Sequence, residues 1–207
     1  MRRKEIKKSG VKMLNKKELA TIANRLQVPL IISDILAGEG ELTDDVHYGL
    51  HSVISDLQPD SALICIALGG LKIANAYHVA SPGLAVLKIQ CESVIDDYAG
   101  LWLQNAENED VAEHDALDAL SNVSEDLEGL SDLLALAIDS LQSKNPDASA
   151  LAKILSIQAK AHAVIADELF GALYAEVTGE IDDEKIVSVI AGKMNDNVIP
   201  FPAKRQA

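Results

Sequence analysis

The chain has 207 residues, 48% of them hydrophobic and 3% aromatic. It is long enough to bury a real core, and its Leu, Ala, Ile and Val with only six Pro favour an all-α fold over a β-sandwich or barrel. Net charge is −14, but the first 25 residues hold nine Lys or Arg against Glu5 and Glu18, so they carry +7 and the remainder −21. An acidic body repels phosphate, which makes it a poor direct partner of nucleic acid or an anionic membrane and leaves such contacts to the basic segment.

Residues 1 to 14 read as a basic flexible arm, in which Arg2, Arg3, Lys4, Lys7 and Lys8 are the residues able to touch nucleic acid. Asn15 followed by Glu18 is a capping-box arrangement, and Leu19, Ile22, Ala23 and Leu26 then recur at helical spacing, which predicts a short helix ending near Gln27. Pro29 is expected to open a second short helix carrying Leu30 to Leu36, stopped by Gly38 and Gly40. The run Ile22-Ala23-Asn24-Arg25-Leu26-Gln27-Val28-Pro29 with Ile32 and Leu36 resembles the first helix and turn of helix-turn-helix DNA-binding domains over about 20 residues. That resemblance implies a DNA-associated regulator. Where base-reading side chains belong, however, the chain has Leu30, Ile31, Ile32 and Ile35, which suit a core or a protein contact.

Thr43 or Asp44 caps the next helix, with Val46, Leu50, Val53, Ile54 and Leu57 on one face up to Gln58-Pro59. Asp44, His47 and His51 lie on one stripe of it, a carboxylate and two imidazoles that could hold Zn²⁺ or another divalent ion. The structural alternative is a first-turn anion and two histidines at the edge of an apolar face. Ala62 to Ala80 is the most apolar segment; residues 62–71 suit a buried strand as well as a helix, and the helix is favoured, with Ala67, Gly70 and Ala74 allowing close approach. Ser81-Pro82 starts a helix with Leu84, Leu87, Cys91, Val94, Ile95, Tyr98, Leu101 and Trp102 on one face.

From about Glu109 to Ala175 the sequence predicts a long antiparallel helical hairpin. Ala116, Leu120, Val123, Leu127, Leu130, Leu134, Ala137 and Leu141 form an unbroken heptad seam. The turn at Ser143 to Asp147 places Pro146 to begin the returning helix, whose apolar residues include Leu151, Ile154, Leu155, Ala161, Ile165, Leu169, Ala172 and Leu173. Leu117, Leu133 and Ile138 widen the stripe beyond what two helices cover, so the residue 60–104 helix pair or a second copy of the chain must complete the bundle, and a homodimer is expected. Gln158 and His162 fall inside the returning helix's apolar stripe and are expected to form a hydrogen-bonded layer that fixes register.

The outer face of the first hairpin helix holds Asp118, Glu125, Glu128, Asp132 and Asp139 within about 80° of arc. Between Glu107 and Ser143 there are 11 Asp or Glu and no Lys or Arg, so like charges repel by about 0.2–0.5 kcal/mol a pair instead of pairing with lysines. This face reads as a solvated surface or as the docking face for a basic partner, either a basic protein or this protein's own arm, and such a single-sign stripe also suits mimicry of nucleic-acid phosphates. A last helix from Asp182 to about Lys193 and a flexible tail over 196–207 complete a single helical domain spanning 15–195.

Nucleotide-binding glycine loops, nucleophile elbows and zinc-protease or di-iron motifs do not occur, so no cofactor is expected and no catalysis. Cys65 and Cys91 lack metal or redox spacing and read as buried reduced thiols. Without a run of about 20 uncharged apolar residues or a signal-like start, the expected location is the cytoplasm. The sequence thus predicts an all-α multi-helix bundle acting as a small regulatory or adaptor protein that binds another protein. The rival readings are the DNA-associated regulator and a divalent-metal-binding helical protein.

Overall fold

The computed structural model describes residues 16–77, 81–105 and 113–178, with side chains over 26–77, 81–98 and 117–177. Among these residues there are six helices and no strand: α1 (Lys16–Ala37), α2 (Asp44–Ser55), α3 (Pro59–Tyr77), α4 (Pro82–Asn105), α5 (Glu113–Gln142) and α6 (Pro146–Thr178). The basic arm with Arg2, Arg3, Lys4, Lys7 and Lys8, the expected helix at 182–193 and the tail at 196–207 lie outside the described residues, as do the side chains of Glu18, Leu101, Trp102 and Ala116.

The two short helices expected on either side of Pro29 are one helix, α1. An interior proline costs about 3 kcal/mol through its missing N–H and its clash with the preceding turn. Val28, Ile32 and Ile35, one face of the continuous helix, are all buried, and each such side chain contributes about 1.5–3 kcal/mol. Three buried side chains outweigh one proline. Ser33 Oγ donates to the Pro29 carbonyl at 3.0 Å, adding a local bond at the same turn.

Capping residues set the later boundaries. Thr43, rather than Asp44, caps α2, its Oγ1 accepting from Val46 N at 3.3 Å, while Asp44 and Asp45 occupy the first turn, where the helix dipole favours anions. Ser81 Oγ accepts from Gly83 N at the start of α4. Asn145 Oδ1 accepts from the N–H groups of both Asp147 and Ala148 at 3.0 Å, opening α6 beside Pro146. Its Nδ2 donates to Tyr77 Oη at 2.8 Å, which ties the hairpin turn to the end of α3.

Helix α3 is the centre of the bundle, packed by α4, α1, α6 and α5. The segment 62–71 is helical, and it is apolar nearly all round because neighbours cover nearly every side: Ala62, Leu63, Cys65, Ile66, Ala67, Ile73 and Ala74 are each fully buried. Its two adjacent glycines admit different neighbours. A Cβ on Gly69 would lie 2.9 Å from Ile32 Cδ1 of α1 and 3.0 Å from Leu155 Cδ1 of α6, and one on Gly70 3.0 Å from Cys91 Sγ of α4.

Helices α5 and α6 pack against each other on either side of the turn at residues 143–145. Seam residues Val123, Leu127, Leu130, Leu134, Ala137 and Leu141 are buried, and Leu120 is half-buried. Leu117 is buried, and Leu133 and Ile138 pack against the core at partial exposure. The surplus stripe is therefore covered within the chain, where α3 and α4 both pack against α5. A second copy is not needed to keep it dry.

Serines cross-link the two hairpin helices. Ser131 Oγ donates to the Ser156 carbonyl at 3.0 Å and Ser156 Oγ to the Ser131 carbonyl at 2.9 Å, with Ser124 Oγ on the Ala163 carbonyl and Ser149 Oγ on the Ile138 carbonyl. Such short side chains let the backbones approach while satisfying their own hydroxyls. No described helix is long and apolar enough to cross a membrane.

Candidate functional site

Two places carry more polar chemistry than the fold needs: the outer face of α5 and the contact between α2 and α6. On α5 the 3.6-residue period that buries the seam turns Asp118, Glu125, Glu128, Asp132 and Asp139 outward, and all five are exposed. None takes part in an ion pair among the described residues. Among the described residues of α5, the charge-bearing group drawn inward is Asp126, which accepts from Gln90 Nε2 of α4 at 3.4 Å. Burial, then Asp97 and Glu125, raise its carboxyl above the usual range. Nearby Tyr98 has its hydroxyl buried without a partner, and burial followed by Asp126, Asp60 and Asp97 pushes it upward as well. This acidic edge of α4 and α5 was not picked out in the sequence, where Asp126 is one acid among many.

At the second place the structure joins residues that the sequence shows only as two separate pairs. His47 and His51 stand one turn apart on α2 with ring centroids 5.0 Å apart. Gln158 and His162 stand one turn apart on α6, and both are buried. Gln158 Nε2 lies 2.9 Å from His51 Nδ1; an amide nitrogen only donates, so Nδ1 accepts and the proton of His51 sits on Nε2. His162 Nε2 lies 2.9 Å from the carbonyl of Ile54 and donates to it. The expected register layer is thus bonded to α2, and it fixes α2 upon α6. Gln158 Oε1 and His162 Nδ1 remain buried without a partner.

Burial lowers the pKa of both rings. For His51 desolvation comes first and the neighbouring His47 second. For His162 desolvation outweighs the opposing effect of the bond to Ile54. Both are held neutral where a free imidazole, with a pKa of about 6.5, begins to charge.

Asp44, His47 and His51 are not gathered as a metal site: Asp44 is exposed in the first turn, His51 turns to Gln158, and no group of three His, Cys, Asp or Glu among the described residues is placed to hold an ion. Cys65 and Cys91 are buried and not joined in a disulfide, and burial with Glu92 pushes the Cys91 thiol up to about 12, far from a reactive thiolate. Compared with family models, curated proteins and solved structures, the chain shows no match.

Proposed function

We propose that this chain is a small regulatory or adaptor protein that binds a basic protein partner along the outer face of α5. The observation that carries this reading is the combination on one helix of a buried inner seam and five exposed carboxylates with no cation paired to them among the described residues. Five like charges on one face cost stability, and a helix needing only solubility is served better by mixed charges. A partner presenting Lys or Arg at helical spacing converts the repulsion into attraction and is steered toward the face during encounter. With the apolar stripe covered inside the chain, the reading is of one chain meeting one basic partner.

The test is a charge-neutralised variant combining Asp118→Asn, Glu128→Gln, Asp132→Asn and Asp139→Asn. Its targets are exposed, so folding is retained. A Lys-rich helical peptide is expected to bind the wild type with an affinity that falls steeply as salt rises, and to bind the variant at least tenfold more weakly, on the order of 1.4 kcal/mol. Equal binding by both proteins would show the face to be solvated surface only.

A further inference from the structure

Helix α2 is the shortest described element and the one least rooted in the core. Its buried residues are Leu50 and Ile54, whereas α3 buries most of its length. On its N-terminal side lies the turn through Gly38, whose positive φ of 76° sets the reversal after α1. Two imidazole hydrogen bonds join α2 to α6 at points about one turn apart along α2, His51 to Gln158 and the Ile54 carbonyl to His162. The groups facing these rings are His47 from α2 and the uncharged Gln158 from α6; α1, α3 and α5 set no described carboxylate or cation against either ring.

We propose that α2 is an acid-released clasp: when His51 takes up a proton its Nδ1 can no longer accept from Gln158, the charged ring stands against His47 in a half-buried contact, and α2 leaves α6 while α3 to α6 stay packed. Turning the Gln158 amide would offer Oε1 to a protonated His51, but it would place the amide nitrogen where the buried Oε1 now sits. The charge beside His47 would also remain. His162 donates to Ile54 from Nε2 in either protonation state, so its bond does not break on protonation. It goes when α2 moves away, and a buried ring then meets water.

The sign follows from linkage. Both rings take up a proton less readily in the closed state than in a solvated one, so the released state binds more protons and falling pH favours it. The clasp is closed above the ordinary histidine pKa of about 6.5 and opens progressively below it. Release uncovers Leu50 and Ile54 together with the α6 surface around Gln158 and His162, an apolar patch with a polar centre.

Hydrogen–deuterium exchange on the full chain, corrected for the intrinsic pH dependence of amide exchange, tests this directly. Between about pH 7.5 and about pH 5.5, protection of residues 44–55 is expected to fall about tenfold or more while the α5 seam at residues 123–141 keeps its protection. His51→Gln, which stays neutral, is expected to hold α2 protected at the lower pH. Parallel loss in α2 and α5, or the same loss in the His51→Gln protein, overturns the proposal. Should that variant fold poorly, imidazole proton NMR on the wild type decides: His51 must titrate below the ordinary value with broadening of α2 amides, and titration at or above it overturns the clasp.

Discussion

Helices α3 and α5 belong to one core yet use their surfaces in opposite ways. In α3 the charges are Asp60 and Lys72, both exposed, and almost everything between them is buried beneath α1, α4, α5 and α6. In α5 only one stripe is buried, and the opposite side carries a run of carboxylates with no lysine or arginine. A helix covered on every side has no surface left for recognition, because each position is committed to packing. A helix at the rim has half its circumference free, and its composition there answers to solvent or to a partner. The candidate binding face and the hairpin seam are therefore two sides of the same 30 residues.

The sharpest way to break this contrast is to truncate two leucines of α5 that lie two positions apart. Leu134 is fully buried against Gly70 of α3, and Leu136 is 73% exposed. Leu134→Ala is expected to destabilise by about 3 kcal/mol, the cost of lost burial plus a cavity, and Leu136→Ala to stay within about 0.5 kcal/mol in denaturant titrations. Similar losses would mean that α5 is covered on both sides.

A smaller effect is expected at the reciprocal serine pair. Ser131→Ala or Ser156→Ala removes one hydroxyl donor and costs about 1 kcal/mol, and the double variant should cost less than the sum, since both belong to one buried bond pair. Strict additivity would mean that the two hydroxyl bonds act independently rather than as a coupled pair.

The smallest change concerns the acidic face. Neutralising Asp118, Glu128, Asp132 and Asp139 should stabilise the fold by a few tenths of a kcal/mol, and added salt should raise the melting temperature of the wild type more than that of the variant. A lower melting temperature for the variant would mean that these carboxylates support the fold. Light scattering completes the comparison: with the α5 stripe covered by α3 and α4, the expected mass is that of a monomer, and a stable dimer would place further cover on the outer helices.

Much of the fold was legible because its signals are local. Ser81-Pro82 announces a helix start through a cap and a first-turn proline, Pro146 announces another, and the heptad spacing from Val123 to Leu141 states which side of α5 is buried. Pro29 misled for the same reason: read locally it opens a helix, and only the burial of Val28, Ile32 and Ile35 carries α1 through it. Residues 62–71 had no readable period because a helix covered on all sides has none, and Gly69 became informative only once Ile32 and Leu155 were seen against it.

At the candidate sites the division is similar. The acidic face was readable in full, since a helical period and a list of charges are enough to place carboxylates on one side. The pairs His47 with His51 and Gln158 with His162 were each visible as polar residues on or beside an apolar stripe, but their partnership was not. By itself the sequence determined which side of α5 is buried and the charge of its other side, both of which follow from spacings of three and four residues. Tertiary structure alone decided that α3 and α4 complete the bundle and that α2 is held to α6 by histidine. Those bonds join residues 107 and 108 positions apart, and no periodicity reaches across such a distance.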